Sequence, residues 1–205
     1  MKRFIILICG LFMLIGCSKH KPAKLLPIVG ERKLNEKGDT IYHSIGNFTL
    51  TNQFGEQVTE QTIKNKIYIA DFFFCTCQSI CPKMSTQLKR VQDSILKDTS
   101  VLILSHSVNP KQDTIEVLKT YGEKYGAIKN KWHLLTADTK IINSLAKYDY
   151  LVPVEEGEDI KNLFVHSELF ILVDRNKYIR GFYDGTDSLQ VNKMLSDIKL
   201  LKKEE

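Results

Sequence analysis

Residues 66–84 read KIYIADFFFCTCQSICPKM, and the character of the chain changes twice within them. Residues 67–74 are an apolar run rich in β-branched and aromatic side chains, with the length and composition of a buried strand. Cys75, Cys77 and Cys81 follow, and then Pro82, which suits a first helical turn because its missing N–H costs nothing there. From residue 83 to residue 96 the apolar residues Met84, Leu88, Val91 and Ile95 recur at helical spacing. The order is strand, cysteine loop, helix. Amide groups at a helix N-terminus favour thiolate over thiol, so Cys77 and Cys81 are both expected to be more nucleophilic, and better ligands for a soft metal, than an isolated cysteine.

Outward from that stretch, residues 47–51 (NFTLT) alternate and lead into turn residues 52–55, so a β-hairpin precedes the central strand. Residues 101–107 (VLILSHS) read as a second buried strand. Asn109 and Pro110 then turn the chain, and Asp113 or Thr114 can cap a helix through Val117, Leu118, Tyr121 and Tyr125 that stops near Gly126. Asp113 could cap that helix or hydrogen-bond near the cysteine loop, and capping alone accounts for it. Residues 132–136 (WHLLT) form a short strand, and Asp138 can cap a helix carrying Ile141, Ile142, Leu145 and Ala146. Residues 148–161 read as a long loop bearing Glu155, Glu156, Glu158 and Asp159, and loops of that length inside compact domains are often functional. Residues 164–173 (FVHSELFILV) are a strand, 174–177 a turn, 178–183 the partner strand and 188–201 a closing helix. This pattern indicates an α/β fold with a mixed central sheet flanked by helices and an N-terminal β-hairpin. Thiols placed between a strand and a helix N-terminus make a thioredoxin-like architecture the natural candidate.

The N-terminus opens MKRFIILICGLFMLIGCSKHK: a short basic start, an apolar run at residues 4–15, and Gly16 directly before Cys17. That describes an export signal, and the run is short for a transmembrane span. Leu14-Ile15-Gly16-Cys17 resembles the bacterial lipobox, which implies cleavage before Cys17 and a diacylglycerol on its sulfur. The chain then divides into a signal peptide at 1–16, a lipidated tether at 17–40, polar and carrying Pro22 and Pro27, and one domain at 41–205, held at a membrane surface outside the cytoplasm, on the periplasmic side. Without Lys2 and Arg3 the chain has 27 basic against 24 acidic residues, a balance too mild to suggest nucleic acid as a partner.

Export also sorts the cysteines. Cys9 leaves with the signal and Cys17 becomes a thioether, so the thiols are Cys75, Cys77 and Cys81, all within seven residues. Stapling cysteines are spread through a secreted fold, whereas a tight cluster in an oxidising compartment suggests redox or metal chemistry. Cys77 and Cys81 stand at i and i+4, close enough to form a disulfide or to converge on one ion. Two thiolates suit Cu(I), and an imidazole would suit Cu(II) as well. Cys75 reads either as a small, partly buried residue at the strand end or as part of a Cys₃His zinc site. Of the five histidines, His20 lies in the tether, His43 before the first hairpin, His106 at a buried strand end and His133 beside Trp132; His166 lies near the start of the apolar strand of the C-terminal half. Met84 and Phe72 to Phe74 read as core.

Together these stretches resemble the SCO/SenC family of copper-binding proteins with thioredoxin-like folds. FFFCTCQSICPKM is similar to the family's F-x-x-C-P-x-x-C-P-x-M, SVNPKQDTIEVLKTYGEKYG to its V-D-P-x-x-D-T segment and following helix, and VHSELFILVD to the segment with its metal-ligating histidine. The resemblance implies that Cys77 and Cys81, the redox pair, bind one copper ion together with His166. It also implies a metallochaperone role toward the binuclear copper site of cytochrome c oxidase, with the copper-site subunit or another copper acceptor as partner. The alternative is a membrane-tethered thiol-disulfide oxidoreductase, which would not need the histidine. Gln78 replaces a proline usual in the family, Asn109 an aspartate, and Cys75 a common threonine.

Overall fold

Every residue of the run at 67–73 is buried, because that strand lies inside a sheet covered on both faces. The structure, a computed structural model, describes residues 25–153 and 167–204. Strands β1 (Arg32–Leu34) and β2 (Thr40–Tyr42) form a separate antiparallel hairpin. The main sheet is built from β3 (Thr49–Asn52), β4 (Gln57–Thr59), β5 (Ile67–Phe73), β6 (Val101–Ser107), β7 (Trp132–Thr136), β8 (Leu169–Val173) and β9 (Ile179–Asp184). Their spatial order is β4-β3-β7-β6-β5-β8-β9. Strands β5, β6 and β7 are parallel, while β8 runs antiparallel to β5 and β3 antiparallel to β7, so the sheet is mixed as expected.

The helices are α1 (Glu60–Ile63), α2 (Ile80–Ser94), α3 (Ile115–Tyr125), α4 (Thr139–Ser144) and α5 (Ser188–Leu201), and a π-helical turn, Leu145–Asp149, continues α4. Alternation along β5 sends Ile67, Ile69 and Phe73 to the face covered by α2, α3 and α5, with Met84, Leu88, Leu118 and Met194. Tyr68, Ala70 and Phe72 face the other way, against Ile63, Ile142, Leu145 and Tyr150. Met84, Phe72 and Phe73 are core, as their residue types predict. Helix α3 ends at Gly126, whose φ of 68° is the left-handed conformation that glycine adopts without a Cβ penalty.

The three parallel strands direct their C-terminal ends, and the cysteine loop after β5, to one end of the sheet. The opposite end holds the starts of β5, β6 and β7 and, because β8 is antiparallel, the turn between β8 and β9. At that opposite end the chain is fastened well before residue 41. Val29 bridges Ile179, Leu26 is buried, and Arg180 donates to Leu26 O (2.6 Å) and Pro27 O (3.1 Å). Arg180 also pairs with Asp174 (2.9 Å) and Glu204 (2.5 Å), and Leu26 N donates to Glu204 (2.6 Å). Of the tether expected at 17–40, residues 17–24 lie outside the described residues, and from residue 26 onward the backbone is tied to the domain.

Candidate metal and redox site

Strand β5 ends at Phe73, where Val108 N donates to Phe73 O, and the chain then turns sharply, with Cys77 N donating to Phe74 O at 3.2 Å. Helix α2 begins at Ile80, three residues before the expected start, so Cys81 lies inside its first turn and Pro82 follows at a position where no amide is required. This places the two cysteines differently. Cys77 is half-buried in the loop; Cys81 is 2% exposed and packs beside Met84 and Phe73.

The backbone N–H of Cys81 donates to Cys77 Sγ at 3.5 Å, and Ser79 Oγ lies 3.8 Å from the same sulfur. Burial raises the Cys77 thiol, but the amides of Cys81 and Ser79, with the Cys81 thiol and the Ser79 hydroxyl, outweigh it and bring the pKa down to about 7. The expectation that both thiols are activated therefore holds for Cys77 and is corrected for Cys81. Burial among apolar side chains pushes Cys81 up to about 12, against an opposing hydrogen bond from the Phe74 amide, and the neighbouring Cys77 and Asp71 add to the rise. Cys75 is also raised, by burial first and then by the charge of Asp113. All three thiols are free, and Cys75 and Cys77 pack against the same core cluster as Cys81.

Asp113 is a second correction. Thr114 caps α3 by accepting from Val117 N at 3.4 Å, which leaves the fully buried Asp113 carboxylate for another task. Its two oxygens accept from the Cys75 amide at 3.3 and 3.2 Å, and Ser107 Oγ donates to it at 2.5 Å. The end of β6 and the segment before α3 thus hold the start of the cysteine loop through one carboxylate. In sequence, Asp-Thr at a helix start signals a cap whichever residue performs it; the bond to an amide 38 residues away has no local trace.

Beneath the loop, Asp71 accepts from Ser105 Oγ at 2.5 Å, and Ser105 in turn accepts from Trp132 Nε1 at 2.8 Å. Burial lifts Asp71 to about 7, against the Ser105 hydrogen bond. Sequence reading missed this carboxyl, whose only signal is a lone aspartate in an apolar strand. His106 stacks on Phe72 (centroids 5.0 Å apart) and donates through Nδ1 to Asp71 O at 3.2 Å, and burial lowers it to about 4. His133 meets Asn52 at 3.3 Å, and His43 bonds Asp149 O at 2.7 Å. These three histidines have structural roles, as expected.

His166 and Cys17 lie outside the described residues, as does most of the long loop expected at 148–161. Among the described residues no three His, Cys, Asp or Glu side chains converge as a metal site. Cys77 and Cys81 are the described part of the expected ligand set, and a pair of neighbouring thiols is a donor set for a soft ion.

The sequence model described as SCO1/SenC matches residues 37–203. Three solved structures resemble the chain at the level of the whole domain. A SCO1/SenC family lipoprotein from Bacillus anthracis is 28% identical with a TM-score of 0.69, over 78% of this chain and 95% of that one. BsSco, described as a member of the Sco family of cytochrome c oxidase assembly proteins with a disulfide switch, is 25% identical with a TM-score of 0.67, over 80% and 95%. ScoI of Arabidopsis thaliana with copper bound is 25% identical with a TM-score of 0.60, over 76% and 98%.

Proposed function

Because the chain belongs to the SCO1/SenC family, we propose that it carries one copper ion for the assembly of cytochrome c oxidase, holding it through Cys77, Cys81 and His166. The observation that carries this reading is the placement of Cys77 and Cys81 at the strand–helix junction, one sulfur half-exposed and one in the first turn of α2. Copper in the Arabidopsis relative and the oxidase-assembly role of BsSco support it. Few, soft ligands at a surface favour transfer by ligand exchange. Asp113 fixes the start of the loop from which Cys77 projects.

The chain acts from a membrane. Cys17, lipidated after signal cleavage, anchors it outside the cytoplasm, as the lipobox-like sequence and the relative described as a lipoprotein support.

A second reading is favoured by the asymmetry of the two thiols. Cys77, half-exposed and with its pKa near 7, suits nucleophilic attack on a partner disulfide, releasing one partner thiolate. The buried Cys81 then gives up its proton and attacks Cys77 Sγ, freeing the second partner sulfur and leaving a Cys77–Cys81 disulfide. The disulfide switch of BsSco accords with this chemistry.

One experiment separates the two readings: anaerobic copper titration of the reduced chain from Ser18 onward, beside Cys77→Ser, Cys81→Ser and His166→Ala. A tight one-to-one complex lost in all three variants is the expected result. Copper binding unchanged in His166→Ala would remove the histidine from the ligand set, and thiol exchange without tight copper would establish the oxidoreductase instead.

A further inference from the structure

The end of the sheet opposite the cysteines is where the chain emerges, and its charge is lopsided. The loops of the main sheet there carry four carboxylates, Glu56, Asp98, Asp174 and Glu204, and each faces a cation: Lys129, Lys202, and Arg180 for the last two; the adjoining β1–β2 hairpin is balanced, with Glu31, Glu36 and Asp39 against Arg32, Lys33 and Lys37. Lys64, Lys66, Lys97, Lys177 and Lys203 lie in the same loops, and among the described residues none of the five is in an ion pair. Two aliphatic side chains join them at the surface, Leu25 at 67% exposure and Leu96 at 45%. The segments at the cysteine end have the opposite balance, with Asp113, Asp138, Glu168 and Asp187 against Lys83 and Lys111.

We propose that this basic end is a docking surface for an anionic lipid bilayer, seating the domain with its cysteine loop pointing away from the membrane. The proposal rests on the lipid anchor at Cys17 for its full effect. Cys17 and Leu25 are eight residues apart, and eight residues extend to at most about 28 Å. The fastened point at Leu26 therefore stays within that reach of the headgroups. The pole that carries Leu26 is therefore the one that meets the surface, and its unpaired lysines match the charge of phosphatidylglycerol. Strand β5 then sets the stand-off: its seven residues separate that pole from the start of the cysteine loop by about 20 Å. Copper or thiols are presented to a partner whose own site stands clear of the bilayer.

The test uses the chain from Ser18 onward, since every contact described above is made within residues 25–204. Cosedimentation is measured with vesicles of phosphatidylcholine alone and mixed with phosphatidylglycerol, at low and high salt. Binding is expected only with phosphatidylglycerol, to weaken with salt, and to fall roughly tenfold or more in the triple variant Lys64→Glu, Lys97→Glu, Lys203→Glu, whose exposed side chains leave the far-ultraviolet spectrum unchanged. Lys83→Glu with Lys111→Glu, at the other end, is the control and should bind like the parent. Equal binding by the triple variant and the parent, or no preference for the anionic vesicles, would overturn the surface; should the triple variant not fold, Lys97→Glu alone, expected to bind more weakly than the parent, decides. The mass of the full chain recovered from bacterial membranes reports separately on lipid at Cys17. An unlipidated chain that still binds anionic vesicles removes the anchor and keeps the surface.

Discussion

The two ends of the sheet are held by different physics. At the end where the chain enters, Arg180 at the start of β9 gathers two carboxylates and two carbonyls from segments up to 154 residues away. The Arg180, Asp174 and Glu204 side chains are nearly dehydrated. At the cysteine end, buried polar groups are joined by hydrogen bonds around two side chains whose charged forms burial disfavours: Asp71 with Ser105 and Trp132, and His106 with the Asp71 carbonyl. The exposed surface there is small and polar, Thr76, Gln78 and Ser79. The entry end is locked by charge, whereas the start of the cysteine loop is fixed at the Cys75 amide.

The sharpest way to break this contrast is Arg180→Met. Removing one partner of a buried ion pair strands the other charges, so unfolding in urea should show a loss of about 4 kcal/mol. A loss below about 1 kcal/mol would mean that the entry end is not locked by charge at all.

The next effect, about 3 kcal/mol, belongs to the cysteine end and depends on pH. Asp71 has a folded pKa of about 7 against an ordinary 3.8, so its contribution is complete below about pH 4 and is lost as pH rises to about 7. His106 has a folded pKa of about 4 against 6.5, so its contribution is present above pH 6.5 and is lost as pH falls to about 4. Between those limits the two slopes oppose, each about 1.4 kcal/mol per pH unit, and nearly cancel in the parent. With His106→Gln, stability measured from pH 4 to 6.5 should fall as pH rises; with Asp71→Asn it should climb. Variants whose curves run parallel to the parent's would show that neither group is held in its neutral form.

Asp113→Ala sharpens the comparison with the smallest change. The Cys75 amide and the Ser107 hydroxyl lose a buried acceptor, which costs about 2 kcal/mol. Because that bond fixes the loop, copper affinity should drop too, whereas Arg180→Met, acting at the far end, should leave the affinity of the still-folded protein unchanged. An unaltered copper titration in Asp113→Ala would reduce the aspartate to a stabilising residue.

What the sequence disclosed follows the range of the forces involved. Strands β5, β6 and β7 and helix α5 were legible because burial on two faces demands continuous apolar runs, and burial on one face demands helical periodicity. Cys77 and Cys81 were legible as a cluster, but their inequality was not: it arises because α2 begins early enough to draw Cys81 into the core. The fastening of residues 26–34 escaped notice since Leu26 and Val29 find their partners at Glu204, Arg180 and Ile179, and a polar stretch with prolines looks the same free or docked. For the same reason Arg180 was hidden, and for Asp113 the local capping role took precedence over the loop bond. Their partners are distant in sequence, and a charged residue gives no sign from composition alone that it will be buried.

The hydrogen bond from Leu26 N to Glu204 brings the two ends of the described chain together. A short linker from residue 204 to residue 26 would therefore close the backbone into a ring with little distortion, and the ring could be cut elsewhere. Gly38, at the tip of the β1–β2 hairpin with open space around it, is one place to cut. The fold does not require its N-terminal segment to leave from where it does; a permuted chain could carry the same domain from a different point, and the reach of its thiols would become an adjustable length.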